Sequence, residues 1–106
     1  MTQSWSENWK LMLETTVLGH LSHRTTDQPW FHYEFTPTDD FAQVSDMFKT
    51  ELKLLNDDEM EAWTSAYDEI AGLGLRLVSD SSEREVDGET ILLHVEGSAA
   101  WLRPWV

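Results

Sequence analysis

The apolar residues of this 106-residue chain repeat with a period of two near both ends and with a helical period in the middle. Few folds accept that arrangement. Alternation puts successive side chains on opposite faces of a strand, whereas spacings of three and four gather them on one stripe of a helix. Trp9, Leu11 and Leu13 alternate with Lys10, Met12 and Glu14. The β-rich run Thr15-Thr16-Val17-Leu18 reads as a continuation of the same strand, with Gly19 as a bulge or kink. Thr25-Thr26-Asp27-Gln28-Pro29 has turn chemistry and leads into a second strand. There Phe31, Tyr33 and Phe35 face one way and His32 and Glu34 the other, until Pro37, which cannot donate to a ladder.

The middle of the chain changes period. Thr38-Asp39-Asp40 supplies an N-cap and an acidic first turn, and Phe41, Val44, Phe48, Leu52 and Leu55 form an apolar stripe. Asp46, Lys49, Glu51 and Lys53 fall largely away from it. Asn56 with Glu59 has the form of a capping box opening a second helix, with Met60, Trp63, Tyr67 and Ile70 on one face and its end near Gly72 and Gly74. Leu75, Leu77 and Val78 read as a third strand, and Ser79 to Glu89 as a polar loop turning at Asp87-Gly88. A fourth strand runs from Thr90 to Glu96, with Ile91, Leu93 and Val95 inward and Leu92, His94 and Glu96 on the opposite face. Gly97-Ser98 breaks it, and Trp101 to Trp105 reads as a short closing strand or a cover for the core. The expected fold is a single α+β domain over residues 1–106. It is a two-layer sandwich with a mainly antiparallel sheet and two helices on one face, in the order β-β-α-α-β-β.

Charge narrows the partners. The chain has 20 acidic and 7 basic residues, a formal net charge of -13, yet 41% of its residues are hydrophobic and six are tryptophan. That apolar content supports an ordered core despite the charge. A surface of this sign repels nucleic acid and anionic membranes, and it steers association with a basic protein surface. The acids are spread along the chain, and a solvated, solubilising surface accounts for most of them. With no cysteine, disulfides, thiolate metal sites and cysteine nucleophiles are excluded. The N-terminal segment lacks the pattern of a signal peptide, and no stretch nears the ~18 apolar residues of a membrane span. A cytoplasmic location is expected.

No catalytic motif is present: there is no G-x-S-x-G, no phosphate-binding glycine loop and no H-E-x-x-H. The histidines carry what chemistry there is. His32-Tyr33-Glu34 and His94-Val95-Glu96 match, so His32, Glu34, His94 and Glu96 are expected on the open face of the sheet. Imidazole and carboxylate suit metal ligation and acid–base work, but the spacing is that of any polar strand face. No catalytic set, metal set or cofactor is therefore assigned. His20 and His23, three apart on a strand, point to opposite faces. Trp63 belongs to the helix stripe and the core, whereas Trp30 and Trp101 (with Trp105 nearby) are candidates for a half-exposed interaction spot, and Arg103 is placed to stack on a flanking tryptophan. The open face mixes Met12, Leu18 and Leu92 with the two histidines, which suits a partner surface or a homodimer as well as cover by the C-terminal segment.

With Pro29-Trp30, Phe35-Thr36-Pro37, Phe41, Glu61-Ala62-Trp63, Leu92-Leu93-His94 and Ala100-Trp101, the chain resembles a group of small acidic bacterial proteins of unassigned function. The likeness runs from about Leu13 onward. It implies a bacterial cytoplasmic protein and carries no active site. The expected function is a non-enzymatic protein-interaction module, inhibitor- or immunity-like, with a basic partner. The alternative is a small-molecule or metal-binding protein using the His/Glu-bearing sheet face.

Overall fold

The computed structural model describes residues 5–27, 29–82 and 84–104. Among these the chain forms β1 (Trp9–Leu13), β2 (Thr16–Asp27), β3 (Trp30–Pro37), α1 (Ser45–Asn56), α2 (Met60–Ala71), β4 (Leu75–Ser79), β5 (Glu85–Asp87), β6 (Ile91–Glu96) and β7 (Ala99–Pro104). Neighbouring strands are antiparallel throughout, in the spatial order β5-β4-β1-β2-β3-β7-β6. The α+β class, the antiparallel sheet and the helix pair are as expected. The rest of the expectation needs correction: three strands precede the helices, four follow them, and the sheet curls into a half-barrel instead of forming a simple sandwich.

Two of the extra strands come from reversals with no glycine, proline or asparagine to mark them. The expected long first strand turns back at Glu14-Thr15, so that Leu13 pairs with Thr16. Glu14 adopts a positive φ of 56° there, and Arg76 donates a hydrogen bond to its carbonyl. A tertiary contact thus holds a turn that local propensity does not announce. In the polar loop, Val86 pairs with Leu77 and makes β5 an edge strand; Glu83 of this loop lies outside the described residues. The closing segment is a full strand between β3 and β6. Gln28 and Trp105 also lie outside the described residues.

Two irregularities in β2 curl the sheet. Pairing with β1 passes from Gly19 to Val17 without a partner for Leu18, and pairing with β3 skips Arg24. Such bulges raise the local twist and bend the strand. The first also re-aims a side chain: Leu18, expected on the open face, is wholly buried in the core. Gly19 is needed beside it, because a Cβ there would lie 2.4 Å from Cζ of Phe35.

Inside the curl, Trp9, Leu11, Leu21, Tyr33, Phe35, Leu77, Leu93 and Leu102 form one core with Phe48 of α1 and Ile70 of α2. Phe35, Phe41 and Phe48 continue it towards the helices, with ring centroids 4.9 and 5.9 Å apart. The Tyr33 hydroxyl donates to the Trp5 carbonyl, tying the N-terminal segment down.

Helix ends depart from the sequence reading for a common reason: tertiary or backbone partners outcompete side-chain caps. Thr38 donates its hydroxyl to the Val17 carbonyl at 2.7 Å and caps nothing, and a short 3-10 helix over Asp39–Gln43 precedes α1. Asn56 is the last residue of α1, and Glu59 precedes α2 without a side-chain cap. In place of a capping box, α1 ends in a Schellman motif. The Asp58 N–H donates to the Leu55 carbonyl (3.2 Å) and the Glu59 N–H to that of Leu54 (2.9 Å), with Asp58 at φ 60°.

Both sheet edges are protected. On β6 the Tyr67 hydroxyl accepts from the Leu93 N–H at 2.7 Å and donates to the Ile91 carbonyl at 3.5 Å, standing where another strand would pair. The opposite edge, β5, is three residues long and presents exposed Glu85 and Asp87.

Candidate functional site

Of the residues singled out on the sheet, three lie side by side. Across β3, β7 and β6 the register runs His32, Trp101, His94, so the two histidines flank one tryptophan. Trp30, two residues before His32 and on the same face, brings its ring within 5.8 Å of His94 and lies 5.7 Å from the Arg103 guanidinium. Arg103 therefore stacks on Trp30. Glu34, further along β3, is tied to Arg24 at 3.2 Å, and Glu96 is exposed at the end of β6.

The row does not bring the imidazoles onto one ligand. They stand two strands apart, roughly 10 Å along the hydrogen-bonding direction, with Trp101 between them. Among the described residues no three His, Asp or Glu side chains gather as a cation cage.

His94 is not a solvated face residue. Its side chain is 2% exposed and meets Glu51 of α1, which is 0% exposed. The His94 Nδ1 lies 2.9 and 3.0 Å from the two Glu51 carboxylate oxygens, and Trp63 Nε1 donates to Oε1 at 2.9 Å. Trp30, Tyr67 and Trp101 surround the imidazole, with ring centroids 5.5–6.2 Å away. The Tyr67 hydroxyl is pushed up to about 12, chiefly by burial and also by the Glu51 charge, with the Leu93 N–H opposing. This buried cluster spans α1, α2, β6, β7 and β3. Enclosed as it is, the imidazole meets protein on all sides, and the cluster works as a polar lock between the helix pair and the sheet.

Sequence reasoning missed Glu51, since its acid identity and its offset from the apolar stripe both read as solvent-facing. The only signal was Trp63, a residue whose indole N–H needs an acceptor when buried.

Charge is partitioned between the two layers. On the sheet, Lys10 pairs with Asp80 (2.9 Å), Arg24 with Glu34, Arg76 with Glu85, and Arg84 with Glu7 (3.0 Å). Glu7 also accepts from the Ser79 and Ser82 hydroxyls; with Arg84 these hold its carboxyl below the usual range, the Ser79 bond contributing most, against the effect of burial. The helical layer has far less compensation. Asp39, Asp40, Asp46, Asp57, Asp58, Glu59, Glu61, Asp68 and Glu69 are all exposed, against only Lys49 and Lys53. Of these, Asp57 alone has an ion pair, with Lys53 at 3.8 Å, among the described residues. The helices lie side by side, and Asp46 and Glu69 line one groove between them with Met47, Thr50 and Ala66. Acidic side chains thus run along a helical hairpin about 18 Å long.

Comparison with protein-family models, curated proteins and solved structures returned no match. The resemblance to small acidic bacterial proteins rests on the quoted residues alone. No helix among the described residues is long and apolar enough to cross a membrane.

Proposed function

We propose that this chain is a non-enzymatic interaction module, inhibitor- or immunity-like, whose helical hairpin docks on a basic protein. The observation that carries the reading is the charge partition: four of the five lysines and arginines on the sheet side are ion-paired with acids, while the hairpin leaves seven exposed acids facing two lysines. Uncompensated charge on a rigid face raises the association rate with an oppositely charged partner, and salt screens it. The inter-helix groove between Asp46 and Glu69 offers a place for a partner's lysine or arginine.

The test compares two charge-neutralised variants of the intact chain as affinity baits in lysate of its native cell. One carries Asp46→Asn, Asp58→Asn, Glu61→Gln and Glu69→Gln on the hairpin. The other carries Glu14→Gln, Asp27→Asn, Asp87→Asn and Glu89→Gln on the sheet side. Basic partners held by the native chain and the sheet-side variant, lost by the hairpin variant and released by about 0.5 M NaCl, are expected. Partners retained by the hairpin variant, or partners that are themselves acidic, overturn the reading.

A further inference from the structure

A second feature lies at the other side of α1. A cavity of about 400 Å³ opens between α1 and the β6–β7 turn, with Phe41, Phe48, Leu52 and Val95 as its apolar floor. This is the size range of small-ligand sites. Its walls carry opposite charges. On the α1 side stand Lys49 and Lys53, two of the three lysines in the chain, and Lys53 is engaged by Asp57. On the facing wall stands Glu96, next to the Gly97 backbone. Among the described residues neither Lys49 nor Glu96 has an ion-pair partner within 4 Å.

A free ammonium and a free carboxylate across an apolar pocket suit a ligand with both charges and an apolar body. We infer that this cavity binds a free α-amino acid with a large apolar side chain, an aromatic one above all. Its carboxylate meets Lys49, its ammonium meets Glu96, and its side chain lies on Phe41 and Phe48. Charge complementarity selects this class over its neighbours. An apolar carboxylate without the ammonium faces Glu96 and the field of a chain carrying -13. An amine without the carboxylate is drawn by that field but sets its charge beside Lys49 and Lys53 with no anion between them. A zwitterion is neutral overall and satisfies both walls. The cavity shares Lys49, Lys53 and Asp57 with the helical hairpin but none of the four hairpin acids neutralised in the docking test, so the two readings fail in distinguishable ways.

The experiment is an amide-resolved NMR titration of the full chain with L-phenylalanine, alongside 3-phenylpropanoate and 2-phenylethylamine, which lack the ammonium and the carboxylate respectively. Saturable shifts at Phe48, Lys49, Leu52, Val95 and Gly97 are expected with L-phenylalanine and much weaker ones with either analogue. Lys49→Gln should weaken L-phenylalanine roughly fivefold and leave 2-phenylethylamine unchanged, as for a solvent-edge ion pair. Glu96→Gln should weaken L-phenylalanine and strengthen 3-phenylpropanoate. Both positions are exposed, so the variants keep the fold, which the unperturbed spectrum of each verifies. No saturation by about 10 mM L-phenylalanine, shifts centred elsewhere, or equal binding of 3-phenylpropanoate overturns the inference.

Discussion

Glu51 shows how one residue escapes a sequence reading and yet organises the interior. A glutamate between helix-stripe positions reads as solvated, but α1 is set against β6 so that its carboxylate meets the His94 Nδ1 and the Trp63 indole. Burying a carboxylate costs free energy unless hydrogen bonds replace its water, and here two donors do so. Removing it leaves both donors stranded. Glu51→Leu is therefore expected to destabilise the chain by about 3–5 kcal/mol. Glu51→Leu combined with His94→Phe should recover part of that loss, because the second change removes one stranded donor. Urea melts of the two single variants and the double variant measure the coupling; strict additivity would mean that the pair is not an energetic unit. His94 itself was legible as a residue on the face opposite Ile91, Leu93 and Val95. Its burial was not, since the side chains that cover it come from α1, α2, β3 and β7.

At the scale of elements, periodicity placed strand-type segments at both ends of the chain and two helices between them, and the reversals were harder. The Glu14-Thr15 turn and the short strand β5 lack glycine, proline or asparagine at the point of reversal, and long-range pairing with β4 holds both in place. The joint between the helices was read in the right place with the wrong chemistry. Asn56 and Glu59 suggested a capping box, but a Schellman motif satisfies the end of α1 through backbone bonds, with Asp58 in the left-handed region. Aspartate tolerates that conformation less well than glycine. Asp58→Gly is expected to raise stability by about 0.5–1 kcal/mol, the relief of strain outweighing the extra freedom of the unfolded chain. A higher urea midpoint at unchanged slope reads this out, and a lower one would show that the Asp58 side chain makes a contact worth more than the strain.

For the whole molecule, both tyrosines report on the integrity of the curled sheet. Tyr33 ties the N-terminal segment to the core and Tyr67 closes the β6 edge, and burial is the first cause that raises each phenol, Tyr67 to about 12 and Tyr33 further. A folded value above the ordinary ~10 favours the protonated, folded state. That contribution is complete below pH ~10 and is lost as pH rises through the folded values. The chain should accordingly show no tyrosinate absorbance while folded at pH ~10.5, and both tyrosines should ionise together with alkaline unfolding. Ionisation of one phenol ahead of the loss of near-ultraviolet circular dichroism would show that its hydroxyl is open to solvent. The same scale separates what each level of description decides. By itself the sequence determined the period of each segment, hence the α+β class, the inward set Phe31, Tyr33, Phe35, Ile91, Leu93 and Val95, and the sign of the surface, because these depend on side-chain spacing and composition. Only the tertiary structure decided the curl, the extra strands, the Glu51–His94 lock and the division of charge between a sheet whose bases are mostly ion-paired and a more acidic hairpin. Each of those depends on which residues meet across the fold, and long-range pairing leaves no local trace.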